Sequence, residues 1–248
     1  MRTKSAIQIA GLLLLWILLL GLAEAQFHFL RDLFGRGPLG QRELATQFLG
    51  QYLASQYAGK KAIVLSNSFS NRSGQPREVY QFEKAGLRGL RRGVGSAVTI
   101  ERVVYPELKP GLLQNPRAAS IAPGTTTPLS YLLADSALDY IAGQSPKAEI
   151  LVSLIGLPVN VRQTESWKPG SGRRFALLLP DLRMVGDQSA IRQAFESRKL
   201  AAIVLNKPGA PPAEQPLGKD AKMEFEQRFL LVTPESVDRY LRIYPRLF

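Results

Sequence analysis

Two rhythms of apolar residues run along this chain. Short, nearly continuous apolar runs at 62–65, 97–104, 149–155, 175–179, 201–205 and 228–232 predict strands buried on both faces. Between them, apolar spacing of three and four residues predicts helices. One spans 41–57, with Leu44, Ala45, Phe48, Leu49, Tyr52 and Leu53 on one side, and the next 77–92, with Val79, Phe82, Gly86 and Leu90 inward. A third is opened by Thr127-Pro128 and stopped at Gly143, the usual order of a proline at the start and a glycine at the end. A fourth is capped by Asp187 and carries Ile191, Ala194 and Phe195, with Arg198 and Lys199 at its negative end. The last follows Thr233-Pro234, with Val237, Tyr240 and Leu241 inward. Two stretches keep neither rhythm: a Pro/Gly-rich connection over 106–127 and a Pro-rich surface segment over 207–222. Structureless loops of the first kind are usually functional or mobile.

Buried strands alternating with helices predict an α/β fold. It is a three-layer, Rossmann-like domain with a mostly parallel sheet of about five to six strands and helices on both faces. In such sheets the ligand crevice lies beyond the carboxyl ends of the strands, where the strand order reverses. Polar, kinked loops follow the strands here, at 66–74, 105–127, 156–167, 180–187 and 206–209.

The first residues follow a different pattern. Arg2 and Lys4 precede an apolar run from Ile9 to Ala23, closed by Ala23-Glu24-Ala25 before Gln26. A basic start, an apolar core and a small-x-small site read as an export signal. The run falls short of the roughly 20 residues that span a bilayer comfortably. Counted back to Ala6 it is interrupted by Gln8 alone, so residues 6–23 left uncleaved would act as an anchor. The expected division is 1–25 signal peptide or signal anchor, 26–40 juxtamembrane segment and linker, and 41–248 a single α/β domain. Phe27, Leu30, Leu33 and Phe34 share a helical face, suited to lying on a membrane or docking on the domain. The expected location is periplasmic or extracellular, or anchored to the membrane.

Composition narrows the chemistry. Cysteine is absent, which removes disulfides, a thiol nucleophile and a lipidated cysteine together. The formal charge is +12, and the first 25 residues contribute to it only Arg2, Lys4 and Glu24. Outside the cytosol the anionic partners of so basic a chain are lipid head groups, wall polymers or small acidic solutes, and no nucleic acid is expected. Lys84, Arg88, Arg91 and Arg92 stand at helical spacing and are read first as a solvated face. The sole histidine is His28, beside the membrane segment, which leaves no base for a serine nucleophile. Asp135 and Asp139 lie four apart on one helix, while Asp181 just after the 175–179 strand is the acid best placed for a crevice. The Gly35-x-Gly37-x-x-Gly40 match lacks the strand that a dinucleotide fingerprint needs. It reads as linker, and no cofactor is expected.

Ser66, Asn67, Ser68, Ser70, Arg72 and Ser73 crowd the loop after the first strand. Hydroxyls, amides and free N–H groups ahead of a helix suit an anionic or polyhydroxyl ligand, and the same residue types also build an ordinary capped turn. Asn71-Arg72-Ser73 is in addition a glycosylation sequon. The expected site lies against this loop, with Ser66, Asn67, Ser68 and Arg72 as ligand contacts, Arg77 nearby, and Asp181 and Asn206 facing them.

An export signal followed by βα units, with Ile63-Val-Leu-Ser-Asn-Ser68 running into a polar loop, resembles one lobe of the type I periplasmic substrate-binding proteins. The resemblance covers residues 60–205 and is one of architecture. It implies solute recognition between two lobes, and this chain has room for about one. The expectation is therefore an exported or anchored envelope protein that binds a polar or anionic solute. Two alternatives stay open: an interaction module engaging anionic lipid or wall polymer, and a carboxylate- and metal-dependent hydrolase or transferase using Asp181.

Overall fold

The computed structural model describes residues 37–248 apart from Leu113 and Thr126. The export segment, the aromatic stretch 26–34 and His28 lie outside the described residues. Six strands form one sheet: β1 Lys61–Leu65, β2 Thr99–Val104, β3 Ile150–Ser153, β4 Arg174–Leu178, β5 Leu200–Asn206 and β6 Phe229–Val232. Their order is β2-β1-β3-β4-β5-β6. Neighbouring pairs run parallel except β5 and β6, which are antiparallel.

The sheet divides the core in two because successive side chains of a strand point to opposite faces. Ile63, Leu65, Leu151, Phe175, Leu177 and Ile203 belong to one apolar cluster. Ala62, Val64, Ile150, Val152, Ala176 and Val204 belong to the other. Helices cover both clusters. Residues 37–56 form α1, which packs on the second cluster with α2 Arg77–Val94 and α5 Ala221–Arg228. On the opposite face lie α3 Ala137–Gln144, α4 Gln188–Glu196 and α6 Val237–Ile243. This is the three-layer, Rossmann-like α/β arrangement expected from the alternation of strands and helices.

The connections create a topological switch point. From β1 the chain passes through α2 outward to β2, then crosses back over β1 to β3 with α3 on the other face. At the carboxyl ends, Leu65 stands in register with Val104 of β2 and Ser153 of β3. The long 105–135 connection must start and finish over this edge.

Several local expectations fail for identifiable reasons. Residues 37–40, expected in a linker, are already helical, so Gly37 and Gly40 do not wrap a loop. The helix expected from Pro128 to Gly143 is a 3-10 turn, Pro128–Leu132, followed by α3. The break falls at Leu133, which forms an antiparallel bridge with Leu108. Phe82, expected inward, is exposed. The buried stripe of α2 is Glu83, Ala85, Gly86, Gly89, Leu90, Gly93 and Val94. Lys199, expected at the negative end of α4, turns its ammonium elsewhere. It is buried, and its ammonium donates to Ser171 Oγ and to the Ser166 and Arg173 carbonyls. Helix α5 interrupts what reads as a loop, capped by Asp220, which accepts from Lys222 and Met223 N–H.

Candidate functional site

The loop after β1 is built around a carboxylate on the neighbouring helix. The Ser66 hydroxyl donates to Glu83 Oε1 at 2.7 Å, and the Asn67 N–H reaches the same oxygen at 3.2 Å. The other oxygen, Oε2, accepts from Arg42 of α1 at 2.8 Å, and Arg42 also donates to the Leu154 carbonyl at 3.2 Å. Burial lowers the Arg42 pKa, and the Glu83 charge and hydrogen bond oppose that shift. The guanidinium lies 4.3 Å from the centre of the Phe82 ring, which gives that exposed aromatic a partner.

Beyond Asn67 the chain turns through the 3-10 helix Ser68–Asn71. Asn67 caps it, with Oδ1 accepting the Phe69 N–H at 2.9 Å. Ser68 donates to the Pro106 carbonyl, which ties this loop to the connection after β2. Ser66 and Ser68 are thus buried and internally satisfied. Arg72 is exposed, and its carbonyl accepts from the Tyr80 hydroxyl.

A groove of about 470 Å³ opens beside this loop at the carboxyl end of β1. Its floor and walls are Phe69, Val79, Ile121, Pro128, Leu129 and Leu132. Its polar lining residues are Asn67, Gln75 and Arg117. Three segments meet there: the β1 loop with the start of α2, the middle of the long connection, and the 3-10 turn after it. That is the β1/β3 switch point, where sheets of this kind bind ligands.

Asp181 sits at a different point of the same edge. It is 6% exposed and caps the turn Leu182–Met184. Arg183 donates to Asp181 Oδ1 at 2.8 Å and to Oδ2 at 2.6 Å, and the Tyr131 hydroxyl donates at 3.2 Å. The Asp181 N–H reaches Thr127 Oγ1 at 3.2 Å, so the acid anchors the segment bearing Pro128 and Leu129. The Arg183 hydrogen bonds hold the carboxyl down to about 2, against burial, with the Thr125 hydroxyl helping. Burial, reinforced by Asp181, pushes the Tyr131 phenol up.

Of the six residues expected to contact a ligand, Asn67 alone lines the groove. Ser66 and Ser68 shape its loop, Arg72 lies on the exposed side, and Asp181 braces the opposite wall. Asn206 lies at the end of β5, in register with Phe229 of β6, at the other side of the sheet. Arg77 opens α2 without lining the groove. Glu83, Arg42, Gln75, Arg117 and the apolar lining carry no motif in the sequence. Glu83 alone left a signal: it shares a stripe with Gly86 and Leu90 at spacings of three and seven.

The other candidate groups are structurally engaged. Asp139 accepts from the Ser166 N–H and hydroxyl, each at 2.9 Å, and from the Glu165 N–H at 3.0 Å. Asp135 pairs with Lys109 at 3.4 Å. Arg88 and Arg92 of the basic row both pair with Glu43, each at 2.7 Å. Among the described residues no group of three His, Asp or Glu side chains could hold a metal ion, and no helix is long and apolar enough to cross a membrane.

The fold and groove define an α/β domain with its cavity at the switch point of a doubly wound sheet. No protein-family model and no curated protein matches the chain. Among solved structures it is similar to a protein from Mycobacterium smegmatis at 12% identity and a TM-score of 0.47, covering 83% of this chain and 63% of that one. It is also similar to a carbohydrate transporter from Acidothermus cellulolyticus, in complex with myo-inositol, at 11% identity and a TM-score of 0.43. That match covers 83% of this chain and 62% of the other. A third similar structure is an ABC transporter solute-binding protein from Burkholderia graminis, in complex with D-arabinose. It is 9% identical with a TM-score of 0.45, covering 80% and 62% of the two chains. The chain thus spans about three fifths of the length of each of these proteins.

Proposed function

We propose that this domain is a solute-binding module of the cell envelope, holding a small molecule in the groove at the carboxyl end of β1. One observation carries the reading. The groove of about 470 Å³ stands at the β1/β3 switch point, has the size of a small-molecule site, and combines a mostly apolar lining with the polar Asn67, Gln75 and Arg117. The export-type N-terminus supports the envelope setting. The alternatives have less behind them. Arg183 engages both oxygens of Asp181, which argues against its use as an open metal ligand or base. Glu43 neutralises two cations of the α2 row, which weakens a polyanion-binding face.

Ligand-detected NMR on the full chain, screened against sugars, amino acids, carboxylates and nucleotides, tests the proposal. Hits are expected to vanish in Val79→Trp, which fills the groove from α2. Hits that survive Val79→Trp, or no hit from any class, overturn it. Expressed in a bacterial host, the protein is expected to be exported and to begin at Gln26. Intact mass decides this, and a retained Met1 makes the segment an anchor.

A further inference from the structure

The polar groups of the groove are one-sided, and this narrows the ligand, given the reading that the groove is the binding site. Asn67 has its amide oxygen engaged by the Phe69 N–H at 2.9 Å, which fixes the amide orientation. What it has left for a ligand is the NH2 group, a pure donor, and one further lone pair on the oxygen already bonded to Phe69. Arg117 lines the groove from the long connection. It is exposed and has no ion-pair or hydrogen-bond partner among the described residues. No acid lines the groove, and the side-chain acceptors there are the neutral amide oxygens of Gln75 and Asn67. Gln75 and Val79 also flank the start of α2, an 18-residue helix whose N-cap, Pro76, supplies no side-chain cap. Glu78 in the first turn offsets part of the positive field of that helix end.

Sugar hydroxyls each bring a proton that needs an acceptor. Against Val79, Leu129 and Leu132 they would find only the amide oxygens of Asn67 and Gln75 among the lining side chains, and an unmet buried donor is costly. A carboxylate brings acceptors alone and matches a guanidinium and an amide NH2. The apolar walls demand a body that water rejects. We infer that the groove binds a small amphiphilic carboxylate, with an acyl or aryl body on Val79, Leu129 and Leu132 and its head group met by Arg117 and the Asn67 NH2. An uncharged sugar is disfavoured at this site.

The test uses the full chain in zwitterionic lipid nanodiscs, with protein-free discs as the blank and titration calorimetry as the readout. The probes are 3-phenylpropanoate and octanoate. Their controls are 3-phenylpropanol, which keeps the body and loses the charge, acetate, which keeps the charge and loses the body, D-arabinose and myo-inositol. The two amphiphilic acids are expected to bind at least tenfold more tightly than any control. Arg117→Gln is expected to weaken them about tenfold or more, the loss of one charge-assisted contact. Asn67→Asp keeps the acceptor that caps the turn, so the melting temperature holds. It replaces the donor with a like charge, so acid binding is expected to be lost. Acid binding unchanged in Arg117→Gln and Asn67→Asp overturns the inference. So does 3-phenylpropanol binding as tightly as the acid. A sugar that binds while the acids do not, and that Val79→Trp abolishes, overturns the ligand class and leaves the groove reading standing. Failure of every compound in the broader screen removes the groove reading itself.

Discussion

Arg42 of α1 and Glu83 of α2 meet at 2.8 Å with side chains only 9% and 5% exposed, and the same carboxylate receives Ser66 and Asn67 from the end of β1. One buried ion pair therefore joins two helices to the loop that borders the groove. Arg42 Nε has no partner, and besides Glu83 the guanidinium meets only the neutral Leu154 carbonyl and Phe82 ring, so Glu83 supplies its countercharge. Breaking a buried pair from one side leaves an unpaired charge in low dielectric.

Glu83→Ala is expected to destabilise the fold by about 3–5 kcal/mol. Glu83→Gln retains an acceptor for Ser66 and is expected to cost less. Urea unfolding of the three proteins checks this. A loss below about 1 kcal/mol in Glu83→Ala would mean that water already compensates Arg42.

Helices α1 and α2 approach backbone to backbone. A Cβ on Gly89 would lie 2.0 Å from the Glu43 carbonyl oxygen, and one on Gly93 would lie 2.1 Å from that of Gln47. Neither obstacle is a flexible side-chain tip, so the helices must separate. Gly89→Ala is expected to cost at least the 1–3 kcal/mol typical of overpacking. Gly143, exposed in α3 with nothing near its Cβ direction, is the control. Gly143→Ala is expected to stabilise by up to about 1 kcal/mol through helix propensity. Thermal melts of the pair should move in opposite directions.

Much of the fold was legible because burial on both faces writes a strand as a continuous apolar run. All six strands fall within two residues of their expected bounds. The helices were harder. Phe82 looked like core from its hydrophobicity, yet Glu83 takes the inward position because Arg42 waits there. Helix α5 hides because it buries a charged pair, Glu224 and Arg228, where a periodicity argument looks for apolar residues. The groove was legible only in part. Topology pointed to the loop after β1, and Asn67 does line the groove. Its partners come from residues far along the chain, Arg117, Leu129 and Leu132, which no local spacing connects.

Asp181 gives the fold a defined acid sensitivity. Its carboxyl lies at about 2 in the folded protein against an ordinary 3.8. A depressed folded value stabilises the native state above the unfolded value and loses that contribution as pH falls through the folded one. Asp181→Asn is expected to lower the melting temperature at pH 7. The gap to the wild type should hold down to about pH 5, shrink through 3.8, and close near pH 2. Melting curves from pH 7 to 2 follow the difference, and a gap independent of pH would show that Asp181 acts through its hydrogen bonds alone.

Arg228 holds the Pro-rich segment onto the domain. It is 2% exposed, and its Nε donates to Glu224 Oε2 at 2.9 Å. One terminal nitrogen reaches the Pro211 and Pro212 carbonyls at 3.3 and 3.2 Å, and the other reaches that of Gln215 at 3.3 Å. A planar guanidinium serves these directions together, whereas an ammonium is a single point with a shorter reach. Arg228→Lys keeps the charge and loses part of this fan, leaving carbonyls of the segment unpaired. It is expected to cost about 1–3 kcal/mol and to open residues 210–216 to proteases while the rest of the domain stays resistant. Limited proteolysis with mass mapping reads the local effect, and urea unfolding reads the global one. Cleavage no faster than in the wild type would show that the prolines hold this path without Arg228.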